Sequence, residues 1–287
     1  MRKWSHFSLI LVSFSFLACA SAQIYHEGKH ISSKDELFQS LKGSQVILLG
    51  ENHGFRTHRD QHMEILRELR AQGRAVHVAL EFFYYPDQAR VEAYRLGQIS
   101  EATFLNEIKW GQPSYDYYRE QALFPNLTAG EKTWAINAPR VLTSQVARGG
   151  LGSLSSDLQQ LLPPEFSLGR DSYRERFQQA MGGHVNPEAI DRYFAAQSIW
   201  DDTMAWRLSQ IQQMYPQAVI VVVVGEFHTQ YGGGLVDRLK ARGVSSVMSI
   251  SQVNTSGLNS EEIKEAIMPH PEYGPRADWI WAAPAVE

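Results

Sequence analysis

The tetrapeptide Gly-Glu-x-His occurs twice, as Gly50-Glu51-Asn52-His53 and as Gly225-Glu226-Phe227-His228. Each copy closes an apolar run, Val46 to Leu49 and Val221 to Val224. A third run, Ala75 to Leu80, ends in Glu81. Carboxylates beside imidazoles can orient a base, move protons or ligate a metal. Glu51, His53, Glu81, Glu226 and His228 are therefore candidate acid–base or metal groups. Asp201 joins them, because it shares a helix face with Gln197 at i, i+4. Such a set, without thiolates, suits Mn²⁺, Co²⁺, Fe²⁺ or Zn²⁺. A metal there would bring a bound water to a pKa of about 7 and polarise a carbonyl. Asn137 and Arg140 are placed to stabilise an oxyanion or to pair with one of the carboxylates.

Other residues carry weaker signals. His58 and His62 lie at i, i+4 with Gln61 beside them, but Arg59 stands where the zinc proteases of that pattern carry glutamate. His58 is expected to have a functional role, and His62 to be a surface residue. Of the neighbours Asp201 and Asp202, Asp201 is expected to face inward and Asp202 to be solvated. Trp200 and Met204 read as core. Tyrosines cluster at Tyr84, Tyr85, Tyr94, Tyr115, Tyr117 and Tyr118, mostly as packing residues. Gly232-Gly233-Gly234 lacks the Lys and Ser or Thr of a phosphate-binding loop.

These residues need strands to hold them. Buried strands bounded by glycine are predicted at 45–49, 75–80, 133–137 and 218–224, with a further one at 245–250. Glycine lets the chain turn sharply out of a strand, placing the acidic and imidazole groups just beyond the strand ends, where open α/β sheets bind ligands. The two motifs are about 175 residues apart, so only pairing of their strands would join them. Ser32 or Ser33 caps a helix to about residue 41. Helices are also predicted over 57–71, from Pro86, from Ser100, from Arg140, over 187–214 and over 235–242. Residues 252–275 read as loop, and 277–283 as a final edge strand. Strands alternating with helices predict an α/β fold with a mainly parallel sheet flanked by helices. The strand-poor segment of about 95–185 is expected to form a helical subdomain over the carboxyl edge of the strands.

The chain has 287 residues, 44% hydrophobic and 20% charged, which is enough for a large core. Arg2, Lys3, the apolar stretch from Phe7 to Leu17 and Ala20-Ser21-Ala22 read as a signal peptide over residues 1–22. Cys19, the single cysteine, follows Phe16-Leu17-Ala18; cleavage after Ala18 would make it a lipidated N-terminus and the leader 1–18. Export to the periplasm or anchoring as a lipoprotein is expected, with Cys19 the only route to a membrane. Loss of Arg2 and Lys3 makes the formal net charge two units more negative than −4. With no basic run, nucleic-acid binding is excluded. A lone cysteine leaves no disulfide and no thiolate metal site.

Taken in order, the motifs resemble the ChaN-like family of haem-binding, iron-regulated bacterial proteins. The resemblance rests on Gly50-Glu51-Asn52-His53 with His58 and Gln61, on Leu80-Glu81-Phe82, and on Trp110 with Tyr115-x-Tyr117-Tyr118. It continues through Asn137-Ala138-Pro139-Arg140, Ala196-Gln197-x-x-Trp200-Asp201 and Gly225-x-x-His228, from about residue 44 to residue 240. It implies one ChaN-like α/β domain over 23–287 that binds haem in haem or iron uptake, as a homodimer around two stacked haems. The implied ligand is a phenolate, a hard anion suited to ferric iron. Tyr115, Tyr117 and Tyr118 are its candidates, with Trp110 and His58 nearby. The family is similar to a wider group that includes Tiki and TraB proteins and the erythromycin esterases. That likeness implies the alternative of a metal-dependent peptide or ester hydrolase, using Glu51, His53, Glu81, Arg140 and His228. Glu226, an added carboxylate at the second motif, fits that alternative.

Overall fold

A computed structural model of the protein describes residues 22–182 and 186–285. The expected leader and Cys19 lie outside the described residues. Among the latter, no helix is long and apolar enough to cross a membrane.

Eight strands form one sheet in the order β2-β1-β8-β7-β3-β6-β4-β5. The central strands are β3 (Val46–Glu51), β6 (Val219–Gly225) and β4 (Val76–Tyr84). Beyond them lie β5 (Thr133–Asn137) on one side and β7 (Val247–Asn254) with β8 (Trp279–Ala283) on the other. All of these run parallel. β6 reads VIVVVVG and is buried along its whole length, as a strand covered on both faces must be.

Helices cover both faces. Alternation sends Ile47, Leu49, Val78, Leu80, Val221 and Val223 to one side, against Ile65, Leu66 and Leu69 of α2 (Arg56–Ala71). The residues between them, among them Leu48, Ala79, Ile220 and Val222, face Met204, Leu208 and Ile211 of α9 (Pro187–Met214) and Leu235 and Leu239 of α10 (Leu235–Ala241).

The fold class is as expected, but several details differ. β4 runs three residues past Glu81, and Glu51 is the last residue of β3, so both carboxylates sit on strands rather than beyond them. The sheet does not end at β8. An N-terminal hairpin, β1 (Gln23–His26) and β2 (His30–Ser32), pairs antiparallel with it and takes the edge. These strands are short and carry little apolar pattern, which hid them. The stretch read as loop continues β7 to Asn254 and then forms α11 (Ser260–Ile267), held by a capping box between Asn259 and Glu262. The helices of 95–185 fall in two groups separated by β5, which belongs to the sheet.

Candidate functional site

Sheet register brings the two motifs together. β3 and β6 are direct neighbours, with Gly50 opposite Val224 and Glu51 opposite Gly225. β4 lies on the other side of β6, with Leu80 opposite Val223. Three strand ends bearing Glu51, Glu81 and Glu226 thus meet at one edge. The motif glycines are needed for space, since neither has a positive φ. A Cβ on Gly50 would come within 2.4 Å of Thr229 Oγ1, and one on Gly225 would lie 3.0 Å from the His53 ring.

Strand alternation then separates the carboxylates. Glu51 follows Ile47 and Leu49 to the α2 face, where the Tyr118 hydroxyl donates to its Oε1 at 2.7 Å. His53 Nδ1 lies 2.9 Å from the same oxygen. Glu81 follows Ala79 to the α9 face. Its Oε2 accepts from the Gly225 amide at 2.5 Å, and its Oε1 lies 3.7 Å from His53 Nε2 and 4.0 Å from His228 Nε2. His228 Nδ1 lies 2.6 Å from Asp201 Oδ1. Asp201 Oδ2 accepts from the Tyr173 hydroxyl at 2.9 Å, and Gln197 joins the same network through Tyr173 and His228. Two carboxylate–imidazole dyads, Glu51–His53 and Asp201–His228, therefore aim their Nε2 atoms at Glu81.

Burial alone would lower the pKa of His228, but the Asp201 and Glu81 carboxylates outweigh it and hold the imidazole up at about 9. His53 follows the same pattern. Burial lowers it, while the Glu51 hydrogen bond and the Glu81 and Glu51 charges raise it above the usual histidine value. Both dyads therefore favour imidazolium.

Several expectations need correction. His62 is fully buried rather than at the surface. Its Nε2–H donates to Gln252 Oε1 at 2.5 Å and its Nδ1 accepts from Gln121 at 3.2 Å, and burial pushes it down to about 4. Asp202 is not solvated but buried in a two-pronged pair with Arg242, at 2.7 and 2.8 Å. Glu226 turns away from the dyads, because Arg276 Nε at 2.6 Å and the Ser251 hydroxyl both engage its Oε1. His58 is buried and neutral, lowered by burial, with its Nδ1 accepting from the Asn52 amide at 3.2 Å; it braces the loop that carries His53. Among the described residues, no group of three or more His, Cys, Asp or Glu is arranged to hold a metal ion.

The tyrosine cluster divides. Tyr118 is buried against Glu51, and burial first, then that carboxylate, pushes its phenol far up. Tyr115 is buried among Tyr94, Phe104 and Trp110, and burial raises it as well. Only Tyr117 of the three is half-buried. It packs beside Gly54, the residue that follows His53.

Two clefts reach the dyads, and both are lined by His228. One, of about 240 Å³, runs from Glu81 and His228 past Phe82, Trp110 and Trp200 to Arg140. Asn137, Lys109 and Tyr84 also line it. The other, of about 490 Å³, has His53 and His228 on its floor and Phe177, Met181 and Phe227 as an apolar wall. Lys109, Tyr173 and Phe177 also stand at the site, although no motif in the sequence marks them. The left-handed backbone of Lys109 (φ 54), costly outside glycine, leaves no mark on the sequence.

The profile of the haem-binding uptake family, ChaN of the Tiki superfamily, matches residues 37–239. No curated protein matches the chain. Among solved structures, the chain is similar to ChaN of Campylobacter jejuni, described with cofacial haem, at 16% identity and a TM-score of 0.66, over 93% of this chain and 97% of that one. It is also similar to an erythromycin esterase, a mutant of EreC in its open conformation, at 12% identity and a TM-score of 0.53, over 93% and 98%. At these identities the likenesses are of fold alone.

Proposed function

This chain belongs to the ChaN-type haem-binding uptake family of the Tiki superfamily, and from that premise we propose that it is an exported protein that binds haem through a tyrosine and serves haem or iron uptake. The family match carries the reading, because residues 37–239 include the strand ends, α2 and most of the residues that line the two clefts. The residues present suit the group. Flat aromatic walls from Phe82, Trp110 and Trp200 stand beside Lys109 and Arg140, and neither cation has an ion-pair partner among the described residues. A planar macrocycle with two carboxylates is complementary to that surface. Haem, when bound, supplies a ferric iron with an open position for a hard anionic ligand.

Export is supported by the charged start and apolar stretch of residues 2–17, and the first strand begins at Gln23, directly after the expected cleavage point. Lipidation at Cys19 is the alternative end of the same processing. Mass measurement of the mature N-terminus separates the two. A homodimer around two haems extends the reading.

Haemin titration of the mature protein, followed by absorbance and by size, tests the whole. A saturable high-spin ferric spectrum with a shift to dimer is expected. Absence of a specific spectrum would overturn the reading and turn attention to the hydrolase alternative. That alternative keeps one geometric support, the convergence of two imidazoles on Glu81, and lacks a metal-holding cluster among the described residues.

A further inference from the structure

The cleft that holds Trp110 continues into a second cavity of about 370 Å³ between α6 (Arg140–Gly149) and α9. The two share Tyr84, Arg140 and Trp200, so they form one trough with Tyr84 at its middle. The tyrosine is turned there by an irregularity of the sheet. Leu80 pairs with Ala135 and Tyr84 with Asn137, so β4 spends four residues where β5 spends two. Bulges of this kind re-aim side chains beside functional sites.

Among the described residues, Tyr84 shares with Tyr115 and Tyr117 the lack of a hydroxyl hydrogen bond, but of these three only Tyr84 lines the trough. Tyr118 donates to Glu51, Tyr173 to Asp201, Tyr85 to the Leu161 carbonyl and Tyr94 to Glu101. The half-buried Tyr84 makes no side-chain hydrogen bond among the described residues. Burial raises its phenol above the ordinary value, and the Arg140 charge pulls in the opposite direction. Arg140 is the cation beside the phenol, and Asp87 and Glu81 are the carboxylates that face it.

We propose that this trough is the haem seat, with Tyr84 as the iron ligand, Arg140 as the cation that steadies its phenolate, and Trp110 and Trp200 as walls for the ring. The assignment rests on the haem reading and moves the ligand away from positions 115–118. Lys109, exposed at one end of the trough, would pair with a ring carboxylate. Haem held here would supply a ferric iron, and Tyr84 would be its phenolate ligand, the phenol proton being released to solvent.

The test compares wild type, Tyr84→Phe and Tyr117→Phe, each titrated with haemin and with iron-free protoporphyrin IX. Ring binding is read by quenching of tryptophan fluorescence, and ligation by the tyrosinate charge-transfer band. For Tyr84→Phe the band is lost and haemin affinity falls by about tenfold or more, while protoporphyrin affinity stays within about twofold. Tyr117→Phe keeps the band. Removal of a hydroxyl with no hydrogen bond leaves the fold intact, checked by an unchanged melting temperature. A band that survives Tyr84→Phe, or one lost in Tyr117→Phe, overturns the assignment while haem binding stands. Absence of a specific haemin spectrum in the wild type removes the premise itself.

Discussion

Replacing Asp201 by asparagine puts the electrostatics of the polar centre to a quantitative test. The His228 imidazole is held at about 9 against an ordinary 6.5. That difference corresponds to about 3 kcal/mol of native-state stabilisation, at about 1.4 kcal/mol per unit. Asp201 is the first of the groups that raise it, ahead of Glu81, so the substitution is expected to remove about 2 kcal/mol near pH 6. The sign follows from linkage. A histidine raised in the folded state binds a proton more tightly there than when unfolded. Its contribution is complete below the unfolded pKa of 6.5 and is lost as the pH rises through about 9. The gap between wild type and Asp201→Asn is therefore widest near pH 6. Above about pH 9 it narrows to the smaller cost of the weakened Tyr173 hydrogen bond. Urea unfolding from about pH 6 to about pH 10, with the His228 ring followed by NMR, measures both quantities. A gap that stays constant across this range, or a His228 ring that titrates below 6.5 in the wild type, would refute the reasoning.

Three further perturbations follow from the packing. Gly50→Ala places a methyl 2.4 Å from Thr229 Oγ1 and 3.3 Å from the Glu226 backbone, so a loss of about 1–3 kcal/mol is expected in thermal unfolding. Gly43→Ala, where nothing lies within 4 Å, is the matched control, and equal effects at the two sites would remove the argument from space. Asp202→Asn strips a buried carboxylate from the two-pronged Arg242 pair and is expected to cost about 3 kcal/mol in urea unfolding; a change below about 1 kcal/mol would mean that Arg242 is solvated in solution. Tyr118→Phe deletes the 2.7 Å hydrogen bond to buried Glu51 and should cost about 1–2 kcal/mol. A variant as stable as wild type would show that Glu51 gains its partner elsewhere.

Much of this protein is written along the chain. The continuous apolar runs at 46–49 and 219–224 can only be strands covered on both faces. Their termination in glycine and glutamate marked the edge of the sheet at which the two motifs meet, and the i, i+4 spacing of Gln197 and Asp201 placed both toward His228. Local pattern fixes such features because strand and helix periods are properties of neighbouring residues. Which of these residues act together is a different matter. β3 and β6 lie side by side despite about 175 residues between the motifs, and strand register then decides the rest. A shift of one residue along a strand exchanges its faces. That is why Glu51 meets Tyr118 and Glu81 meets His228, although both looked alike in sequence. Glu226 was drawn off by Arg276, which lies 50 residues further along the chain, and His62 was buried by Gln121 and Gln252 from two separate elements. Tyr84 gained its place from a sheet irregularity, and Arg140 from the start of a helix packed beside it. Charge, burial and open space depend on atoms brought from distant parts of the chain, so only the tertiary structure decides them.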